Sequence, residues 1–127
     1  MDDERMDKGF TLLEIIATLV ILSILAAVAI PRYISVDESA KQRAIEAGIA
    51  ELNGRETLTW SNIKISEQGY EGDTILFALI DTHLGTDYTW NPPGPDSGGG
   101  TLIFRNSSDA ALVRSVSTTL QPGNWSR

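Results

Sequence analysis

From Phe10 to Ile30 the chain runs for 21 residues with a single charge, Glu14. At about 1.5 Å of rise per residue a helix of that length reaches about 30 Å, the thickness of a bilayer's hydrocarbon core. Lipid offers no hydrogen bonds, so a segment of this kind must satisfy its own backbone, and a helix does so. Thr11, Thr18 and Ser23 interrupt the apolar character, but hydroxyls can bond back to the helix backbone. Glu14 opposes insertion by roughly 2.5–3.5 kcal/mol if it sits at a helix centre, and by less near an end. A carboxylate at that depth is a functional candidate, and it calls for a cation. Cutting the chain between Gly9 and Phe10 would create one, the α-amino group of Phe10.

Much of the chain's 42% hydrophobic content lies in that one segment, so the rest of its 127 residues can build only one small domain. There is no cysteine, and so no disulfide to frame that domain. The formal net charge is −7, from 17 acids and 10 bases. The first nine residues hold four acids (Asp2, Asp3, Glu4, Asp7) and two bases (Arg5, Lys8), so a product starting at Phe10 keeps 13 acids and 8 bases, a net of −5. An acidic surface disfavours sequence-independent binding of nucleic acid, which works by neutralising phosphates.

Lys8-Gly9-Phe10-Thr11-Leu12-Leu13-Glu14, followed by the apolar run and closed by Pro31, resembles the processing signal of prepilins, the precursors of type IV pilins and type II secretion pseudopilins. The resemblance is strong from Lys8 to Pro31, moderate to about residue 55 and absent beyond. It implies a bacterial inner-membrane precursor cut after Gly9 by a prepilin peptidase, which also N-methylates Phe10. It further implies Glu14 as the assembly carboxylate, Pro31 as the helix-kinking position, an inner-membrane assembly platform, and a homo-oligomeric helical filament as the product. The acidic leader departs from the more basic ones usual in the family. Many type IV pilins close a C-terminal loop with a disulfide, and its absence leans toward pseudopilins or short pilins.

The cations flanking the span, Arg5 and Lys8 before it and Arg32 after it, give little asymmetry. Acidic residues count weakly in orientation, so the short N-terminus is placed in the cytoplasm. An ordinary secretory signal cut at Ala27-Val28-Ala29 is an alternative, but its n-region would be net acidic and its h-region long and interrupted by a glutamate. An unprocessed signal anchor is another.

Beyond Pro31 the helical period continues: Ile45, Ile49 and Leu52 share one face, and Asp37–Lys41 and Glu51–Arg55 are acid-before-base pairs at i, i+4. Pro31 removes one backbone hydrogen bond and should bend or loosen the helix without ending it. One long helix is expected from about Phe10 to about Trp60, apolar over 10–31 and amphipathic over 32–60, with Asn53-Gly54 as its weakest point. Ala40, Ala44 and Gly48 form a row of small side chains that suits packing on the chain's own head, close approach of neighbouring helices, or both. Tyr33, just past the span, suits a membrane-interface anchor.

A small head is expected over 61–127. Asp73 reads as the N-cap of a short helix near 74–84 stopped by Gly85, with a buried strand as the alternative. Asp87-Tyr88-Thr89-Trp90 starts a strand, residues 91–100 form a Pro/Gly loop, and 101–105 and 111–116 are strands joined by Asn106-Ser107-Ser108-Asp109. The last few residues are expected to be loose. The fold class is α+β: a long N-terminal helix with a small three-stranded antiparallel sheet packed on its upper half, pilin-like.

No catalytic set, cofactor motif or metal-ligand spacing stands out. His83 is the only histidine and reads as a helix C-terminal cap; Asp87, Asp96 and Asp109 follow no calcium-loop spacing, although major pseudopilins bind calcium in a C-terminal loop. An enzyme is therefore disfavoured. Two classes remain. One is a filament subunit, either of a type IV pilus or a pseudopilin of type II secretion. The other is a monomeric membrane-anchored binding module with the helix as a tether. A faint likeness of Pro31-Arg32-Tyr33, Asp37, Ala40, Gly48 and Leu52-Asn53-Gly54 to pilins of the mannose-sensitive haemagglutinin type tips the balance to a pilus subunit.

Overall fold

The computed structural model describes Gly9 and residues 11–127. Its first helix, α1, runs Leu12–Ile65 without interruption, with Glu14 in the first turn and Lys64 in the last, each opposite in sign to the nearby helix end. It passes through Pro31 and through Asn53-Gly54, so no break forms there. It also ends five residues beyond the expected Trp60, because nothing before Ser66 disrupts it. Trp60 Nε1 and Lys64 Nζ donate to the carbonyls of Thr118 and Thr119, both at 2.9 Å, which secures the last turns.

The chain divides into two units, residues 1–38 and 39–127. In the first, the described side chains of α1 are all exposed, including Leu12, Leu19, Leu22, Ile24, Leu25, Val28 and Ile30. The helix is long and apolar enough to cross a membrane.

The second unit is the head. It adds a short helix α2 (Asp73–Leu79) and four strands: β1 (Tyr88–Trp90), β2 (Gly99–Phe104), β3 (Ser108–Ser115) and β4 (Asn124–Ser126). They form one antiparallel meander in sequence order. The fold is thus α+β with a long helix and a small antiparallel sheet, as expected, but the sheet has four strands and not three. The fourth is the C-terminus expected to be loose. Its central residue, Trp125, is 1% exposed, and so large a side chain brings its backbone into the sheet.

One α1 face meets the sheet. Ile45, Gly48, Leu52 and Glu56 are buried at helical spacing, and Ile45 and Leu52 join Leu102, Leu112 and Trp125 in the core. A Cβ on Gly48 would lie 3.1 Å from both Leu102 and Tyr88, so this glycine lets the sheet approach the helix. Ala44 is half-buried beside it, and its carbonyl accepts from the Tyr88 hydroxyl at 2.7 Å. Two members of the small-residue row therefore serve the chain's own head; Ala40 is exposed. Asn53 does more than fail to break the helix. Its Nδ2 donates to the Trp125 carbonyl at 3.0 Å and its Oδ1 accepts the Trp125 amide at 2.7 Å. One side-chain amide thereby occupies both backbone groups of an edge strand, which otherwise offers a template for aggregation.

The β2–β3 connection is tighter than expected. Arg105 and Asn106 both have positive φ, 49° and 53°, the Ser107 amide donates to the Phe104 carbonyl at 3.1 Å, and Phe104 pairs with Ser108, so Arg105, Asn106 and Ser107 alone join the strands. Ser108 and Asp109, expected in the loop, belong to β3. Helix α2 is shorter than its expected 74–84 range: Ile80 is already extended and turns inward, buried, so Gly85 is not the stop.

Candidate functional site: the start of the long helix

Gly9 is exposed, with φ 88°, in the left-handed region where only glycine is unstrained. Two residues on, Thr11-Leu12-Leu13-Glu14 has the S/T-x-x-E spacing of a capping box, and the side chains take up that role. The Glu14 amide donates to Thr11 Oγ1 at 3.2 Å, and the Thr11 amide donates to Glu14 Oε2 at 3.1 Å. A helix start leaves amide groups without intrahelical partners, and here two of them are satisfied reciprocally. Glu14 is therefore exposed but already partnered within its own chain. Further along, Thr18 Oγ1 donates to the Glu14 carbonyl at 2.8 Å and Ser23 Oγ to the Leu19 carbonyl at 2.7 Å, so these hydroxyls are compatible with lipid.

Of the site residues expected from sequence, Gly9, Glu14 and Pro31 are described, and Tyr33 is exposed on α1. Phe10, with its expected cleavage and methylation, lies outside the described residues, as does the leader before Gly9. Thr11 was not singled out from the sequence, although the capping-box spacing was there to be read.

The head holds a second polar arrangement that residue types and spacing alone do not single out. Arg114 is 3% exposed and reaches two carboxylates and a carbonyl. Its Nε and Nη2 donate to Glu56 at 3.0 and 2.5 Å, its Nη1 and Nη2 to Asp73 at 2.9 and 2.7 Å, and its Nη1 also to the Ser97 carbonyl at 2.9 Å. Trp125 Nε1 donates to Glu56 at 3.1 Å, and the Ser117 amide and hydroxyl donate to Asp73 at 2.8 and 2.6 Å. Among the described residues, no buried side-chain polar atom lacks a partner. Gly123 lines this cluster: a Cβ there would collide with Glu56 and with the Ser115 carbonyl. Strand parity carried the signal, since Leu112 points inward and Arg114 lies two residues on. The cluster also corrects the role given to Asp73. Gly72 stands at the N-cap of α2 without a side-chain cap, and the Asp73 carboxylate is spent on Arg114 and Ser117.

The hydrogen bonds from Arg114 hold the Asp73 carboxyl down at about 2; burial opposes this and the Ser117 contacts assist. For Arg114, desolvation favours the neutral form, but the bonds to Asp73 and Glu56 outweigh it and raise its pKa. Because the folded-state value of Asp73 lies below its ordinary 3.8, its contribution is complete above about pH 4 and lost as pH falls through about 2. Over that window the head should lose about 2 kcal/mol from this group. Thermal unfolding of the wild type and Asp73→Asn between pH 5 and 2 checks this. The variant should have the shallower slope, and parallel slopes would refute the assignment.

Three of the remaining candidates are held by structural contacts. Asp87 pairs with Arg105 at 3.2 Å, and Asp96 accepts the Gly98 amide at 2.8 Å. His83 lies beyond α2, so it is not that helix's cap; its carbonyl accepts from Arg55 at 2.8 Å. Among the described residues no three acidic or imidazole side chains gather as metal ligands.

Comparison with known proteins picks out the same N-terminal segment. Residues 5–30 match the family model of the prokaryotic N-terminal methylation motif. The type IV narrow pilus major component PilA5 of Thermus thermophilus is 42% identical over 43 residues, which cover 34% of this chain and 37% of that protein. The chain thus spans little more than a third of the length of the curated relative it matches. No solved structure matches it.

Proposed function

We propose, from the likeness of its N-terminal segment to type IV pilins, that this chain is the structural subunit of a type IV pilus. The observation that carries the reading is the solvent-exposed apolar face of α1, complete from Leu12 to Ile30, with one carboxylate at its start. Such a surface needs lipid or other protein around it. The subunit waits in the bacterial inner membrane with its N-terminus in the cytoplasm. A prepilin peptidase cuts after Gly9, and Phe10 becomes the N-methylated first residue.

On assembly, guided by an inner-membrane platform, α1 moves from lipid into a bundle of identical helices. Lipid tails are as apolar as the helices, so close packing and the partnering of polar groups decide the exchange. The amine of Phe10 meets Glu14 of a neighbouring subunit, and Pro31 is the position at which the helix bends. The family suggests a non-enzymatic role. A pseudopilin of type II secretion is the second reading, favoured by the short head without cysteine.

Intact-mass analysis of filaments sheared from cells tests the proposal. A subunit that starts at Phe10 and carries one extra methyl group is the expected result. A chain retaining residues 1–9 in working filaments, or one starting at Ile30 and soluble, would overturn it.

A further inference from the structure

The capping box gives Glu14 a partner before any neighbour arrives. Its carboxylate accepts the Thr11 amide at 3.1 Å, while its own amide is held by Thr11 Oγ1 at 3.2 Å. A carboxylate on a three-bond side chain has several rotamers, and α1 places it among exposed leucines and isoleucines that offer no other donor. The bond from the Thr11 amide to Oε2 chooses among those rotamers, and the bond from the Glu14 backbone amide to Thr11 Oγ1 holds the turn that permits it. They turn the carboxylate back along the helix toward its N-terminus, over the amide that follows Phe10 in sequence.

We propose that Thr11 is a positioning residue for assembly: it holds the Glu14 carboxylate at the N-terminal end of α1, satisfied and pre-aimed, until an incoming amine displaces the Thr11 amide. This rests on the reading of Phe10 as the new N-terminus and Glu14 as its partner. The physical basis is twofold. An acceptor desolvated in lipid without a donor is costly, and a donor within the same chain relieves that cost during storage. A group fixed near its productive geometry also loses less rotamer freedom when the pair forms. Hydroxyl and amide act differently here. The amide is present whatever residue stands at position 11, whereas the hydroxyl fixes the turn that brings amide and carboxylate together. The role therefore depends on a side-chain oxygen, and serine should supply it.

The test uses the full chain expressed in its membrane with the assembly machinery, comparing wild type, Thr11→Val, Thr11→Ser, Glu14→Gln, Glu14→Ala and the Thr11→Val/Glu14→Gln double variant. Intact mass reports processing, sheared-filament yield reports assembly, and amide exchange at Glu14 in micelles reports the cap. Thr11→Val should be processed as wild type, exchange the Glu14 amide several-fold faster and give about tenfold fewer filaments; Thr11→Ser should match wild type in all three. The double variant should be no worse than Glu14→Gln alone, since Thr11 acts only through the carboxylate. Normal filament yield from Thr11→Val, loss of processing in Thr11→Val, failure of Thr11→Ser to rescue, or additive defects in the double variant would each overturn the proposal. If Glu14→Ala itself assembles normally, the reading of Glu14 has failed, a result separate from any obtained with Thr11.

Discussion

Arg114→Ala is expected to unfold the head. Arg114 and Glu56 have fully buried side chains, and the Asp73 side chain is 17% exposed. Removing the guanidinium leaves one carboxylate buried without a countercharge and a second nearly so. Truncating one member of a buried pair typically costs about 3–5 kcal/mol. A small domain has only about 5–15 kcal/mol of stability in total, so a large share of it would be lost. The consequences spread because the cluster joins five segments: Glu56 from α1, Asp73 from α2, Ser97 from the loop before β2, Arg114 from β3, and Trp125 from β4 through its bond to Glu56. The guanidinium also lies 5.1 Å from the Phe77 ring and 6.0 Å from that of Trp125, so packing is lost along with charge. Arg114→Lys keeps the charge but not the fork that engages two carboxylates, and should fall between wild type and alanine. Urea unfolding followed by tryptophan fluorescence measures the series. A cost below about 1 kcal/mol for Arg114→Ala would mean that the cluster is incidental to the fold, since that is the scale of an exposed pair.

Glu14→Ala is expected to stop filament formation while leaving membrane insertion intact. A carboxylate in the span opposes insertion, so its removal cannot weaken anchoring. In the proposed filament the same group answers the Phe10 amine in a largely dry bundle. Deleting it strands a cation, and the cost, again about 3–5 kcal/mol, recurs at every subunit added. At about 1.4 kcal/mol per factor of ten, that is a loss of roughly two to four orders of magnitude in the equilibrium for each addition. Glu14→Gln divides the two uses of the residue, because the amide oxygen can still accept from Thr11 while the charge is gone. Filament yield by sheared-fraction assay and subunit level in the membrane fraction are the measurements. Wild-type yield from Glu14→Ala would remove the carboxylate from the assembly account.

The helix was legible because its signal is local and repetitive. An apolar run without breakers, continued by Ile45, Ile49 and Leu52, specifies a helix and its buried face whatever else the chain does. The short elements were less so. Asp73 fits a cap by residue type, yet in the fold it is drawn to Arg114, which lies 41 residues away in sequence. Asn53-Gly54 resembles a break when only propensity is weighed, and becomes a strand's partner once Trp125 arrives 72 residues later. Trp125 itself, in a terminal stretch of polar residues and glycine, gave little local cue to a strand. Thr11 is the opposite case: its bond to Glu14 spans three residues, and the sequence contained all that was needed to see it.

What the sequence alone determined are the properties set by near neighbours along the chain: an apolar helix that needs lipid or protein around it, a lone carboxylate near its start, and a glycine two residues before the cap. Tertiary structure alone decided where the polar groups of the head find their partners. Periodicity reports which face a side chain occupies but not what stands opposite, and a buried charge is tolerable only when something distant in sequence folds back to meet it.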